Sequence, residues 1–443
     1  MNQAAPLDVQ ELIDRQPLNR FHYRLVALCA ASVLMDGFDA QTIGFVAPAL
    51  TGQWHISRAA LGPVLSSGLV GMLIGALLFG PLGDRLGRRR VLIFCTLWFG
   101  IGSLLTAGAD SVSSMLVLRL VTGFGLGGTL PNAIALTSEY MPRRLRATGV
   151  MLMFCGFSIG AAIGGLLAAG IIPRFGWRAV FVIGGVLPCI TAVFLFILPE
   201  SIRFLLLKGA PSGNDLRVAD LLRKIAPGLP ILPATSFVVP EQPERGFPVT
   251  KLFAQNRAGT TLLLWIVFFM SLLDLFFLNS WLPTVLHDVG LELRQAIVIT
   301  SYFQIGGTVG VVVLGRFIDR QTSYRALAWA YLGGAACVGW IGIAGGSLWT
   351  QSIAVFAAGF CIVGAQTGAN ALAAECYPTA IRSTGVGWAL GVGRIGSITG
   401  PVVGGLLLSF GWGMRRVFWA AAVPALIAAT ATILVTLKPR RSA

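Results

Sequence analysis

The chain has 443 residues, of which 55% are hydrophobic and 12% charged, against about 25% charged in a soluble domain. That balance excludes a soluble enzyme with a large core and describes a polytopic membrane protein. The net charge of +15 would suit nucleic acid, but the basic residues are distributed by topology, and no nucleic-acid partner is implied.

Residues 1–22 read as a polar cytoplasmic segment with a short surface helix around Val9–Ile13; no cleavable signal peptide is visible. Twelve apolar segments follow, each long enough to cross a bilayer: 23–49, 60–80, 90–109, 114–137, 148–172, 178–199, 260–286, 295–316, 326–345, 350–373, 384–409 and 416–437. The expected organisation is a first six-helix bundle (23–199), a cytoplasmic linker (200–258) with a short helix at Leu216–Ile225, a second bundle (259–438) and a tail (439–443). With both termini and the linker on one side, that side holds 25 of the 33 Lys and Arg residues and the other side 6. This asymmetry places both ends in the cytoplasm. Seven scattered cysteines imply no disulfides, and His22, His55 and His287 lie apart near span ends, so no metal or cofactor is implied.

The first span carries Leu34-Met35-Asp36-Gly37-Phe38-Asp39. Asp36 lies about 18 Å along a helix from Arg24, near the middle of a hydrocarbon layer about 30 Å thick. Asp36 and Asp39 share one helix face. Carboxylates at that depth face a watery cavity, meet a cation or carry a proton, and each option points to transport. The bland alternative is a pair of caps on a helix broken at Gly37.

The two halves repeat. Gly80-x-x-x-Asp84-Arg85 recurs as Gly315-x-x-x-Asp319-Arg320, an offset of 235; Glu139-x-x-Pro142-x-x-x-Arg146 recurs as Glu375-x-x-Pro378-x-x-x-Arg382, an offset of 236. Six spans per repeat preserve direction, so the halves are related by an axis along the membrane normal, with a site at mid-depth between them. Asp274, in the seventh span, is the repeat mate of Asp39.

These motifs resemble a known family. Gly80-Pro-Leu-Gly-Asp84-Arg85-Leu-Gly87-Arg88-Arg89 resembles the loop signature of the major facilitator superfamily, Arg119-x-x-x-Gly123-x-x-x-Gly127 its fourth-helix motif, and Pro199-Glu200-Ser201-Ile-Arg203 the end of its sixth helix. Asp36-Gly37-Phe38-Asp39, with Leu130-Pro131-Asn132 and Gly393-Arg394-Ile-Gly396, resembles the aromatic acid:proton symporters, which import hydroxybenzoates and related ring acids. The resemblance implies an all-α membrane protein of twelve transmembrane helices in two pseudo-symmetric six-helix bundles. It also implies alternating access and import of an aromatic carboxylate with protons across the inner membrane.

Arg394, flanked by glycines in the eleventh span, is the candidate cation for a substrate carboxylate, which pairs bidentately with arginine. Arg119 is either a second cation near the pathway, paired with a first-helix aspartate, or a snorkelling or structural arginine near the outer face. Asp36, Asp39 and Asp274 are candidates for proton coupling. Among the two first-helix carboxyls, Asp39 is expected to release its proton inside after the substrate departs. Asp274 is alternatively a cavity-lining group, a ring-hydroxyl partner or a helix-packing carboxyl. Gln304, Asn370 and Trp388, with Phe276, Tyr302 and Asn279, are candidates for ring recognition by stacking and amide hydrogen bonds. Asp84, Arg85, Arg88, Arg89, Glu139, Arg146, Asp319, Arg320, Glu375 and Arg382 form a matched cytoplasmic set, expected to switch conformation by holding the halves shut inside. Simple positive-inside anchoring is the alternative, and it explains Arg90 and Arg143. Exporters of this fold place a proline after the second glycine of the fifth-span Gly-x-x-x-Gly; here Ala161 stands there, which favours import. A carrier of another substrate, a membrane sensor and an intramembrane enzyme are the rivals. The linker has no evident signalling domain and no nucleophile–base pair is visible. A single chain is expected to function as a monomer.

Overall fold

Apolar runs of this length satisfy their peptide groups internally, as helices, because hydrocarbon offers no partners. The computed structural model describes residues 7–207, 214–226, 237–238, 252–254, 257–321, 325–344, 347–377 and 381–437. A short helix α1 (Val9–Arg15) precedes six long ones: α2 (Arg20–Trp54), α3 (Arg58–Leu86), α4 (Arg88–Ala107), α5 (Val112–Tyr140), α6 (Arg146–Phe175) and α7 (Trp177–Leu195). Two short helices follow, α8 (Ile202–Leu207) and α9 (Asn214–Ile225). The second set of six is α10 (Ala258–Asp288), α11 (Leu293–Gln321), α12 (Arg325–Ile341), α13 (Leu348–Cys376), α14 (Arg382–Ser409) and α15 (Met414–Leu437). Eleven of the twelve are long and apolar enough to cross a membrane. The other, α12, has 17 described residues. The expected twelve-helix, two-bundle architecture is met.

Alternation of direction puts the start of α2 and the end of α15 on one face, here the terminal face; the opposite end is the distal face. On the terminal face α1, α8 and α9 dock through Leu12, Ile13, Ile202, Leu205, Val218 and Leu222 against the ends of α2 and α5. A two-residue parallel bridge joins β1 (Leu7–Asp8) to β2 (Phe237–Val238). Arg143 pairs with Asp14 at 3.2 Å, so it ties the N-terminal segment to the bundle rather than serving only as a topological anchor.

Glycines set the helix crossings and repeat with them. A Cβ on Gly71 or Gly75 of α3 would lie 2.1 or 2.0 Å from the Leu120 or Phe124 carbonyl of α5. A Cβ on either mate, Gly306 or Gly310 of α11, would lie 2.1 Å from the Phe356 or Phe360 carbonyl of α13. Gly160 of α6 faces the Leu34 carbonyl as Gly396 of α14 faces that of Phe269. These contacts fix the residue mates in space: Asp39 with Asp274, Asp36 with Ser271, Arg119 with Val355, and Ser158 with Arg394. The helix α2 runs unbroken through Gly37, where a Cβ would sit 2.0 Å from the Phe157 carbonyl. Gly37 is therefore a packing site, not a break.

The two sets of six meet in their distal parts. A Cβ on Gly44 would lie 2.7 Å from the Asn279 carbonyl, one on Gly62 3.2 Å from that of Pro401, and one on Gly165 2.0 Å from Ser301 Oγ. Ser66 Oγ donates to the Ile398 carbonyl at 2.7 Å, and Arg58 pairs with Asp288 at 2.7 Å. Along α10, every residue from Phe276 to Leu286 is buried, and along α2 all from Asp36 to Pro48 except Ala40. Toward the terminal face both helices keep an exposed side, at Tyr23 and Arg24 and at Leu262 and Ile266. The distal end is sealed.

Candidate functional site

The aspartates lie where the sealed and open parts of α2 meet. Asp39 accepts from Arg119 Nη1 at 2.8 Å, and Arg119 Nη2 donates to the Asp39 backbone carbonyl at 3.2 Å. The side chains are 0% and 2% exposed. Arg119 is clamped on its other sides by the Phe181 ring, 5.7 Å from Cζ, and by the close approach of Gly68. It is therefore neither a snorkelling arginine nor a lining of the open side. It is the internal counter-charge of Asp39. Two ions so far from water are held only by each other, and removing one strands the second.

Asp36, one turn toward the terminal face, is fully buried, yet neither of its carboxyl oxygens has a hydrogen-bond partner. The cation whose field acts on it is Arg394, across the seam on α14. The Arg394 side chain is partly exposed and makes no direct ion pair among the described residues. An unpaired guanidinium opposite a carboxyl and between the two bundles is a ready partner for an incoming carboxylate.

Asp274 is 1% exposed and both of its oxygens lack a partner. It is thus not the hydrogen-bonded packing carboxyl of the bland reading. Its neighbour is a small polar pair, in which Tyr331 of α12 donates to Ser271 at 3.0 Å.

The ring-recognition candidates separate. Phe276 sits in the seam, in an apolar cluster with Leu69, Met72, Phe99 and Leu126 of the first set. Gln304 Nε2 donates to Asn279 Oδ1 at 2.7 Å, and the buried Asn279 Nδ2 has no partner. Tyr302 is partly exposed beside Ser301 at the seal. Asn370, on the terminal part of α13, has a buried Oδ1 without a partner. Trp388 stacks on Trp265, centroids 6.0 Å apart, and is 43% exposed, away from the mid-depth group. A cavity of about 500 Å³ on the distal face, ringed by Gln53, Trp177, Glu292 and Arg294, lies beyond the seal and apart from this group.

The terminal-face set forms a network inside the first half. Arg88 pairs with Asp84 at 3.0 Å and with Glu139 at 3.3 Å. Glu139 also accepts from Ser201 Oγ at 3.0 Å and the Arg203 amide at 2.6 Å. The Arg89 amide donates to Glu200 at 3.0 Å. Asp84 and Arg85 are exposed, and Arg146 Nε is buried without a partner. These bonds do not bridge the halves. The expectation that Asp84 holds the halves shut does not describe this conformation, because the bundles meet at the distal end instead. The side chains of Asp319, Arg320 and Arg382 lie outside the described residues; Glu375 is exposed and engaged.

Three groups escaped the sequence reading. Gln41, buried two residues past Asp39, has an unpartnered Nε2; its amide in an apolar run was a visible signal. Phe181 looked like any lipid-facing aromatic. Val355 could be read as the mate of Arg119 only by extending the 236 offset beyond the shared motifs.

A sequence profile of the Major Facilitator Superfamily matches residues 29–343 and 264–443. The chain is 44% identical to the 4-hydroxybenzoate transporter PcaK of Pseudomonas aeruginosa, covering 97% of this chain and 95% of that protein. It is 42% identical to the gallate transporter of Pseudomonas putida, again over 97% and 95%. Among solved structures, the inward-facing, unoccupied bacterial homologue of the human lysosomal transporter Spinster matches with a TM-score of 0.73 and 16% identity, covering 95% of this chain and 98% of that one. The inward open xylose transporter XylE of E. coli matches with a TM-score of 0.71 and 18% identity over 95% and 98%.

Proposed function

Since the chain belongs to the Major Facilitator Superfamily, we propose that it imports a hydroxybenzoate-type aromatic acid with protons across the cytoplasmic membrane. The named substrates of its relatives, 4-hydroxybenzoate and gallate, support the acid class. The basic-residue asymmetry supports placing both termini in the cytoplasm. The terminal face is then cytoplasmic, and the distal seal makes the structure inward-facing.

The observation that carries this reading is the charge arrangement at mid-depth. Among the described residues Arg394 is half-buried and has no ion-pair partner, while Asp39 is bonded to Arg119. The substrate carboxylate docks on Arg394 opposite Asp36, and the ring lies against Phe276. The ring hydroxyl reaches the Asn279–Gln304 amides, where Asn279 Nδ2 has a donor to give. The Asp39–Arg119 ion pair is the arrangement expected after cargo and proton have left to the inside. Opening the distal end admits a proton to Asp39, which releases Arg119, and rocking of the halves returns the proton to the cytoplasm. The Asp84–Arg88–Glu139 network organises the cytoplasmic end during that rocking, and one chain suffices.

The test is uptake of labelled 4-hydroxybenzoate, gallate and benzoate by cells making the protein, with and without a protonophore. Accumulation of at least one, abolished by the protonophore, is expected. Uptake of a neutral sugar with no aromatic acid overturns the reading.

A further inference from the structure

The repeat places a carboxyl at equivalent points in both halves but a cation in only one. Asp39 on α2 is answered by Arg119 on α5. Its mate Asp274 holds the equivalent position on α10, and the mate of Arg119 is Val355, itself fully buried. That register is anchored on both sides of Val355. The Leu120–Gly71 approach becomes Phe356–Gly306, and Gly123 against the Gly68 carbonyl becomes Gly359 against that of Phe303.

The charged and titratable groups on the elements around α10 do not compensate. On α12, Tyr331 is near Asp274 and gives its proton to Ser271. On α14, Arg394 acts on Asp36. On α2, Asp36 and Asp39 are acidic. The other charged positions on α11, α13, α14 and α15 lie near helix ends: Arg294, Arg316, Asp319, Arg320, Glu375, Arg382, Arg415 and Arg416.

A carboxylate without cation or hydrogen bond, away from water, is costly inside a bilayer, and such a position suits a group that carries a proton. Its position also matters. Leu275 is still partly exposed, and from Phe276 to Leu286 every residue of α10 is buried. Asp274 therefore sits at the border between the part of α10 open toward the cytoplasm and the part that opens when the halves rock. The aspartates of α2 hold the corresponding border.

We propose that Asp274 is a second proton-carrying site, so that one aromatic carboxylate enters with two protons and one net positive charge. The carboxyl oxygen takes its proton from the outside when the distal seal opens and gives it up inside, as Asp39 does. This rests on the import reading above.

Proteoliposomes and labelled 4-hydroxybenzoate separate the two claims. Counterflow without any gradient tests recognition of the acid alone; its absence in the wild-type protein overturns the import reading. Net uptake by the wild type should be stimulated by an inside-negative potassium diffusion potential. Asp274→Asn should retain counterflow and respond to a pH gradient but lose the response to potential. Its limiting accumulation at one pH unit should fall about tenfold, the equivalent of one proton. If the Asn variant loses counterflow, Asp274→Ser carries the same comparison. The proposal is overturned if wild-type uptake moves no charge, or if a neutral variant keeps wild-type stimulation by potential.

Discussion

At the scale of single residues, the contrast between Asp39 and Asp36 decides how charge is handled. Asp39 and Arg119 act as each other's solvent: both are almost without exposure, and the guanidinium spends one donor on the carboxylate and one on the backbone behind it. Arg119→Leu strands an ion, and a loss of about 3–5 kcal/mol is expected. Adding Asp39→Asn to that variant removes the stranded charge and should recover much of the loss, as read from thermal unfolding of the purified protein. Asp39→Asn alone should fold and bind, since an amide still accepts from Arg119. It should exchange labelled substrate for unlabelled substrate but fail to accumulate it against a gradient. Full gradient-driven accumulation by this variant would remove Asp39 from the coupling step. Asp36 has no such neighbour: both of its oxygens are without a partner, and Arg394 lies across the seam without a direct bond to it.

At the scale of helices, close backbone approach at small residues is what the repeat preserves. Gly37→Ala would press a methyl to 2.0 Å from the Phe157 carbonyl, and a backbone atom cannot yield as a side-chain tip can. A loss of at least about 1–3 kcal/mol is expected. Gly339→Ala on α12, with open space around it, should be neutral or gain up to about 1 kcal/mol of helix propensity; detergent melting temperatures compare the two. The spans, the repeat offsets and the acidic pair were legible in the sequence because each rests on spacing along one chain segment. The role of Gly37 was not, since spacing does not reveal which helix crosses there. The partner of Arg119 was only half legible. Which aspartate it meets depends on how two separate helices are rotated, at about 100° per residue, and their sequences do not fix that rotation. Trp388 illustrates the same limit: depth suggested a lining residue, while the helix turn sets it against Trp265. The docking of α1 and α9 was legible only as short helices, because the apolar stripe of each says that it is covered but not by what.

At the scale of the whole molecule, one end is shut and the other open, so the conformation rests on a few distal contacts. Most are apolar or backbone approaches, such as Gly44 against Asn279 and Gly62 against Pro401, which can part without stranding charge. The Arg58–Asp288 pair is different: it joins the start of α3 to the end of α10, and its side chains are 39% and 31% exposed. Water already competes for such a pair, so it contributes about 0.2–1 kcal/mol, enough to bias the equilibrium between inward- and outward-facing forms by a few-fold and too little to lock it. Arg58→Asp should therefore raise the outward-open fraction. Asp288→Arg in the same chain should restore the original balance, since the reversed pair has the same reach. A cysteine at Asn279, buried within the seal, reports the difference as its rate of labelling by an impermeant maleimide added from outside, in a background without reactive native cysteines. The rate should rise in the single variant and return in the double. Equal rates in all three would mean that the apolar contacts alone hold the distal end, and that the ion pair is a consequence of closure rather than one of its causes.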